Sequence, residues 1–292
     1  MAERGAARRR RVSWRGYWTG WLGLGIVAIA TICAIFAPRL APHDPYVQDL
    51  SVRLAPPAWA PAGHAEHILG TDHVGRDYLS RIIYGARVSL ATSVLAVLAS
   101  GLLGVLAGVS MGYYGGLTDR VLTFLTNLTL TFPFMLLAIA MIALMGSGFV
   151  NMVGVLGVTA WPIYARIVRG EVLSLREREF VLAGIGLGGS TRRILWTHIL
   201  PNLGNLVIVL ASVEAARMII VESFLSYLGL GVPPPAPSWG GMLSEAQLYV
   251  FTRGWMAAFP GLAILVTVLG INLVGDALRD YLDPQMKTLT TG

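Results

Sequence analysis

The chain of 292 residues is 55% hydrophobic and only 13% charged, which is too apolar for an ordinary soluble domain and indicates a membrane protein. Its formal net charge of +6 comes almost wholly from arginine, since Lys287 is the only lysine. Basic residues beside membrane spans orient a protein more often than they bind nucleic acid, so we expect no nucleic-acid partner. The single cysteine, Cys33, excludes an intrachain disulfide and a cysteine-based metal cluster.

The N-terminal part consists of a basic tail and an apolar run. Residues 1–16 contain six arginines, and residues 17–37 form an apolar run about as long as a bilayer is thick. By the positive-inside rule, we expect the tail to be cytoplasmic. We interpret residues 17–37 as a retained first anchor rather than a cleaved signal.

Residues 38–87 are polar and rich in proline, and we predict that they form an external loop. The last part of this loop contains a dense polar motif, whose residues are Gly70, Thr71, Asp72, Gly75, Arg76 and Asp77. We expect Asp72, Arg76 and Asp77 to pair with one another and to hold the loop against the membrane surface. Three histidines of the loop, His64, His67 and His73, are irregularly spaced, so we predict no metal site.

Five further apolar segments follow, which makes six predicted membrane spans in an all-α fold. We expect a five-span core over residues 88–274 and a cytoplasmic C-tail over residues 275–292. The second span carries small residues at a spacing of about four, which favours close helix packing in lipid; they are Ser100, Gly101, Gly104, Gly108 and Gly112. The five segments cover residues 88–111, 121–145, 149–164, 203–230 and 256–274.

The polar interval of residues 166–202 lies between the fourth and fifth spans and is rich in arginine and glutamate, so we place it in the cytoplasm. Its pattern predicts two short helices, over residues 171–187 and 191–199, with a glycine turn near Gly188. Ser190 is the predicted N-cap of the second helix, and Pro201 is its predicted end.

Three ionisable residues, Glu214, Arg217 and Glu222, lie inside the fifth span, where each charge costs about 2.5 to 3.5 kcal/mol on insertion scales. Glu214 and Arg217 are three residues apart and can pair on one helix face. Two interpretations stay open for this pair: an internal salt bridge, or a polar translocation pathway or subunit contact. For Glu222, which has no arginine three or four residues away, the second interpretation is favoured.

The sequence contains no recognisable catalytic constellation. A phosphate-binding P-loop requires Gly-Lys-Ser/Thr, whereas Lys287 follows Met286. His198 is the single histidine outside the external loop, and a packing or hydrogen-bonding role suits it better than a catalytic one. We therefore expect no enzymatic activity and no cofactor in this chain. If nucleotide drives the protein, another polypeptide must bind it.

The stretch from Phe180 to Asn202, FVLAGIGLGGSTRRILWTHILPN, resembles the cytoplasmic coupling motif of ABC importer permeases. Two positions depart from the motif: Leu182 stands where a glutamate is usual, and His198 stands where an isoleucine is usual. Glu177 or Glu179, just upstream, can supply the acidic contact. The resemblance implies an ATPase-coupling role for a set of residues that match the motif or lie beside it: Glu179, Ala183, Gly184, Gly188, Ser190, Arg192, Arg193, Leu200 and Pro201.

The resemblance becomes more specific at two further stretches, LGTDHVGRDYLSR at residues 69–81 and ESFLSYLGLGV at residues 222–232. With PSWGGM at residues 237–242, they resemble the C-type permease subunit of dipeptide, oligopeptide and nickel importers. This resemblance implies a second permease subunit, two ATPase subunits that bind ATP and Mg²⁺, and an external substrate-binding protein. It favours peptides as substrates, with nickel or another small solute as the alternative.

The resemblance implies a mechanism in which ATPase closure rocks the spans of an inner-membrane protein between outward-open and inward-open states. Arg192 and Arg193 would face the ATPase or lipid phosphates. Two rival functions remain at this point. A proton-coupled secondary transporter would use Glu214 or Glu222 as its proton site, and a membrane-surface enzyme would use the histidines of the loop.

Overall fold

A computed structural model describes residues 14–282, and every regular secondary-structure element in that range is helical. The one β-type contact among the described residues is an isolated antiparallel bridge between Thr71 and Asp77. The all-α prediction is therefore confirmed for this part of the chain. Most of the predicted basic tail, residues 1–13, and the end of the predicted C-tail, residues 283–292, lie outside the described residues.

The helices follow one another with short connections except between α2 and α3, where residues 41–77 form an irregular loop with one short 3₁₀ turn. Their bounds are α1 Trp14–Ile35, α2 Ala37–Leu40, α3 Tyr78–Tyr114, α4 Gly116–Thr131, α5 Phe134–Met145, α6 Phe149–Arg176, α7 Glu179–Gly186, α8 Thr191–Ile194, α9 Leu200–Tyr227, α10 Trp239–Ala246 and α11 Trp255–Leu282.

Five helical runs among the described residues are long and apolar enough to cross a membrane: α1, α3, α6, the continuous run of α8 and α9, and α11. The pair α4 and α5 passes the same test together but is bent by 90°. Residues 14–282 thus contain five candidate spans, or six if the bent pair counts as one. The span predicted over residues 121–145 corresponds to this bent pair, so it stays a prediction.

The bend between α4 and α5 has a local cause in Pro133. A proline ring disfavours helical backbone at the residue before it, and Phe132 is extended, with φ −86° and ψ 134°. Proline also has no amide hydrogen to donate back into a preceding helix. The helix therefore ends at Thr131 and restarts in a new direction at Phe134.

Helices α3 and α6 pack through the glycines that the sequence analysis singled out. A Cβ atom on Gly104 would lie 2.3 Å from the Cβ of Tyr164, and one on Gly108 would lie 2.7 Å from the carbonyl oxygen of Ala165. One on Gly112 would lie 2.7 Å from the Cβ of Val172. The backbones are in direct contact along this seam, which confirms the predicted close packing.

The order of these contacts shows that α3 and α6 run parallel, because later residues of α3 meet later residues of α6. The start of α3 and the end of α6 therefore lie at opposite ends of the pair. Helix α3 has 37 residues and is about 55 Å long at 1.5 Å per residue, which exceeds the thickness of a bilayer core. Structures at its two ends thus lie at opposite ends of a candidate membrane span.

Several helix boundaries in the structure differ from the predicted ones. Helix α3 begins at Tyr78 rather than at residue 88, because the carboxylate of Asp77 accepts a hydrogen bond from the Ser80 amide at 2.8 Å and caps the helix there. Helix α6 continues to Arg176, so residues 171–176 extend a span and do not begin a separate helix. Helix α10 lies between the last two predicted spans.

Candidate functional site

The connecting segment, residues 177–199, links the end of α6 to the start of α9 and contains the predicted glycine turn. Helix α7 ends there with two hydrogen bonds, from the Gly188 amide to the Ile185 carbonyl at 2.9 Å and from the Gly189 amide to the Gly184 carbonyl at 3.1 Å. This pairing is the Schellman pattern, which places a left-handed residue just after the helix. Gly188 has a φ of +77°, so the predicted turn is confirmed.

The second half of the connecting segment differs in part from the prediction. Ser190 does cap α8, since its hydroxyl accepts a hydrogen bond from the Arg193 amide at 3.4 Å. Pro201, however, does not end a helix. It lies in the first turn of α9, and residues Leu195–Ile199 form a π-turn that joins α8 to α9. A wider turn fits here because Pro201 cannot donate the hydrogen bond that an α-helix requires.

Three apolar side chains of the connecting segment, Val181, Ile194 and Ile199, are buried in a cluster with residues of α3, α6 and α9. Leu195, in the same segment, packs against this cluster and is partly buried. The same cluster contains Val168 and Leu203. The connecting segment is therefore packed against the ends of two candidate spans, α6 and α9, and is not a free loop.

The opposite face of the connecting segment is exposed and apolar. Leu187 is 90% exposed and Trp196 is 66% exposed. Arg192, Arg193 and Ser190 line an open hollow of about 350 Å³ with Trp196. Of the other residues with a predicted coupling role, Glu179, Ala183 and Pro201 are exposed, whereas Gly184 and Leu200 are half-buried. Further exposed apolar residues on this segment are Phe180, Leu182 and Ile185.

The two departures from the coupling motif have different structural settings. His198 packs inside the segment, where its Nε2 atom would lie 3.2 Å from a Cβ on Gly184 and its ring centroid lies 6.0 Å from that of Phe180. The packing role predicted for this histidine is confirmed. Leu182 is instead 53% exposed, so the departure adds to the apolar face. Glu179 lies exposed within one turn of it.

The other end of the molecule holds a buried charge cluster. Asp72 is completely buried, and its Oδ2 atom accepts hydrogen bonds from Arg76 Nε at 2.6 Å and from Arg81. Arg81 and Arg76 also bind Glu245 of α10, at 2.8 and 3.3 Å. The cluster ties the loop to α3 and α10. Pairing of Asp72 with Arg76 was predicted, whereas Arg81 and Glu245 were missed.

Electrostatics keep Asp72 ionised despite its burial. Burial alone would raise the pKa of this carboxyl group, but the charges of Arg81 and Arg76 and hydrogen bonds from the amides of Arg76 and Val74 lower it below its usual value. A buried charge needs such partners to be tolerated. We therefore assign the cluster a structural role, which is to hold the loop against α3 and α10, rather than a catalytic one.

Asp77 does not join this cluster, so its predicted pairing with Arg76 is wrong. Its carboxylate instead caps α3 and contacts His67 Nδ1 at 2.9 Å. The remaining residues of the loop motif shape the loop. Gly75 has a φ of +83°, and a Cβ there would lie 1.7 Å from the carbonyl oxygen of Asp49. Thr71 donates to the Val52 carbonyl and accepts from the Ala55 amide, and Gly70 also has a positive φ.

The charges of the fifth predicted span separate into two groups. Arg217 binds Glu214 with its Nη2 atom 2.6 Å from Oε2, which confirms the predicted pair. The Arg217 guanidinium also lies 4.6 Å from the ring centroid of Phe134, at the bend between α4 and α5, and its side chain is about a third exposed. Glu222 is completely buried and accepts a hydrogen bond from Ser226 at 2.8 Å.

Comparison with known proteins gives two family matches. Residues 104–288 match the family described as binding-protein-dependent transport system inner membrane component. Residues 18–57 match the N-terminal transmembrane domain of oligopeptide transport permease C. Together the two matches cover most of the chain, and the first alone covers more than half of it.

Individual relatives agree with these matches. The chain is 46% identical over 266 residues to the dipeptide transport system permease protein of Escherichia coli strain K12, covering 91% of this chain and 89% of that protein. It is 40% identical over 265 residues to the di/tripeptide transport system permease protein of Pseudomonas aeruginosa, covering 91% and 88%. It is 39% identical over 286 residues to a glutathione transport system permease protein of Salmonella typhimurium, covering 95% and 92%.

A family match over more than half of the chain and relatives above 30% identity over nearly all of it leave one assignment. The chain belongs to the binding-protein-dependent transport system inner membrane components, as a multi-pass permease of the dipeptide and oligopeptide ABC importer type.

Proposed function

We propose that this chain is one of two permease subunits of an ATP-driven importer and that it carries short peptides into the cytoplasm. The observation that carries the proposal is the connecting segment, which buries one apolar face in the helix bundle and exposes another. An exposed apolar patch with arginines beside it is typical of a surface that binds a partner protein. The partner proposed here is an ATPase subunit, which binds ATP and Mg²⁺.

Movement of the ATPase would reach the membrane spans through the buried face of the connecting segment. Ile194 and Ile199 share one close-packed cluster with Val168 of α6 and Leu203 of α9. Packed interiors transmit displacement because they have few voids to absorb it. A displacement of the segment would therefore move α6 and α9 as rigid bodies, which is the kind of change that alternating access requires.

The proposed pathway passes Glu214 and Arg217. These residues lie on α9 beside the bend of α4 and α5, and Arg217 keeps about a third of its surface exposed. A peptide carries a carboxylate and an ammonium group, and a partly exposed ion pair can exchange partners with both. Glu222, enclosed among serine hydroxyls, would serve helix packing in this arrangement rather than contact the peptide.

The proposed orientation rests on the arginines of residues 1–16 and 166–202, which the positive-inside rule favours on the cytoplasmic side. With six spans, counting the bent pair as one, the N- and C-termini and the connecting segment are cytoplasmic. The charge cluster of Asp72, Arg81 and Glu245 then lies on the external side, where a substrate-binding protein delivers its cargo. The second permease subunit packs beside this chain in the inner membrane.

Short peptides are the proposed substrates because the similar permeases named above belong to dipeptide, di/tripeptide and glutathione transport systems. Their names describe those proteins, and the step to this chain rests on similarity along nearly its whole length. In such a complex, selectivity would lie mainly with the external binding protein. The nature of the peptide ends, rather than one side chain, would be what Arg217 and Glu214 recognise.

Reconstitution tests this proposal. The permease pair, the ATPase subunits and the binding protein are placed in vesicles with collapsed ion gradients, and uptake of a labelled dipeptide is followed with and without ATP. We expect uptake that requires hydrolysable ATP and the binding protein. Uptake driven by a proton gradient in the absence of ATP would instead establish a secondary transporter. Uptake of nickel but not of peptide would overturn the assignment of peptides as the substrates.

A further inference from the structure

Three potential metal ligands meet where the loop before α3 joins that helix. They are His43, which follows α2, His67, which lies late in the loop, and Asp77, the N-cap of α3. The Asp77 Oδ1 atom lies 2.9 Å from His67 Nδ1 and 3.6 Å from His43 Nδ1. One ligand atom from each of the three side chains lies within 4.8 Å of the other two.

The surroundings hold these side chains in place. Asp77 Oδ2 accepts a hydrogen bond from the Ser80 amide at 2.8 Å, which leaves Oδ1 facing both imidazoles. The Ser80 hydroxyl in turn accepts a hydrogen bond from the His43 amide at 3.0 Å. Hydrogen bonds of this kind orient metal ligands and raise site affinity. The carboxylate is 2% exposed, whereas the His43 side chain is 41% exposed and open to solvent.

A second group of histidine and carboxylate side chains lies nearby, but its carboxylates are already bound by arginines. Asp72, His73 and Glu245 also lie close together. There, however, the guanidinium groups of Arg76 and Arg81 bind the two carboxylates, so a metal cation would meet two fixed positive charges. At Asp77, the ion-pair partners among the described residues are the two histidines, and neutral imidazole is a metal ligand.

We propose that His43, His67 and Asp77 form a binding site for a divalent transition-metal ion of the zinc type. Zinc takes imidazole nitrogen and carboxylate oxygen at about 2.0 to 2.2 Å in tetrahedral geometry, which separates neighbouring ligand atoms by about 3.3 Å. The observed separations of 2.9 and 3.6 Å from Asp77 Oδ1 bracket that value. The ion takes the place of the direct contact between Asp77 and His67, and water completes the coordination on the exposed side.

A bound ion would link both ends of the loop to the start of α3. His43 and His67 are separated by most of the loop, and Asp77 is the N-cap residue of α3. An ion that binds this site in the folded chain and not in the unfolded chain stabilises the folded state. The site would thus fasten the loop on the face that carries the charge cluster, apart from the proposed peptide pathway at Arg217.

The test uses the full chain in detergent, purified without a histidine tag and stripped with a chelator. Zinc is titrated in competition with a chromophoric indicator, and the affinity is compared with that of His43→Ala, His67→Ala and His64→Ala. His64 is an exposed residue of the same loop outside the cluster and serves as the control. We expect one ion per chain, a loss of at least about tenfold in affinity for the first two variants, and wild-type affinity for His64→Ala.

Two results would overturn the proposal: no zinc bound by the wild-type chain, or wild-type affinity in both His43→Ala and His67→Ala. X-ray absorption of the zinc-loaded wild-type chain provides a reading that does not depend on any variant folding. We expect a shell of nitrogen and oxygen at about 2.0 to 2.1 Å with the scattering of two imidazoles. A shell that contains sulfur, or no imidazole, would contradict the assignment.

Discussion

Gly188 provides the sharpest test of the connecting segment because its backbone, and not its contacts, makes glycine necessary. Its φ is +77°, and no atom lies within 4 Å of the position that a Cβ would occupy. In Gly188→Ala, the added methyl group meets no steric clash. The left-handed conformation alone then costs about 1–2 kcal/mol.

A cost of this size shifts the population that keeps the native connection by a factor of about 5 to 30. We therefore expect Gly188→Ala to reduce ATP-driven peptide uptake several-fold while its amount in the membrane stays unchanged. Stimulation of the ATPase by substrate-loaded binding protein should fall with it. Uptake by reconstituted complexes and immunoblotting of membranes measure the two quantities.

Gly186→Ala is the matched control. Gly186 ends α7 only two residues earlier, its φ is not positive, and its Cβ position is also open. Alanine there raises helix propensity by up to about 1 kcal/mol, so uptake should be normal. If Gly188→Ala and Gly186→Ala transport equally well, then the left-handed turn is not needed for coupling, and the reasoning is refuted.

Other predictions concern stability and are read from thermal unfolding in detergent. Asp72→Asn should lower the free energy of unfolding by about 3–5 kcal/mol, because it leaves Arg81 buried with an incomplete partner; the exposed Asp44→Asn should be neutral. The folded-state pKa of Asp72 lies below its ordinary value of about 3.9, so its stabilisation is complete above that pH and is lost as pH falls through the folded-state pKa. The acid-induced drop in unfolding temperature should therefore be smaller in Asp72→Asn, and an equal drop would contradict this account. Gly108→Leu should destabilise the chain by at least about 1–3 kcal/mol through overpacking against α6, whereas Gly154→Leu, with open space at its Cβ, should not.

The spans and the glycine seam could be predicted from the sequence. Long apolar runs are typical of membrane spans, and small residues at regular spacing are typical of close helix contacts in lipid. The bend at Pro133 was not predicted although the proline is visible in the sequence. The mean hydropathy of a long apolar segment does not register a single proline. Pro201 was misread for a related reason. Proline ends a helix or occupies its first turn, and only the tertiary path shows which of the two applies.

The candidate site was predictable where it depends on local chemistry. The Ser190 cap, the Gly188 turn and the pair of Glu214 and Arg217 all involve residues within a few positions of one another. Contacts between distant residues were not predictable. Glu245 binds Arg81 from more than 160 positions along the chain, and no periodicity in a single sequence indicates such a pairing.

Site-specific cross-linking tests the central claim that the connecting segment receives the ATPase. Replacing the single cysteine, Cys33→Ser, removes the one native thiol. Leu187→Cys and Phe251→Cys then place a new thiol at two highly exposed positions, one on the connecting segment and one between α10 and α11. We expect Leu187→Cys to cross-link to the ATPase subunit and Phe251→Cys to the external binding protein. Cross-linking of Phe251→Cys, and not of Leu187→Cys, to the ATPase would contradict the account.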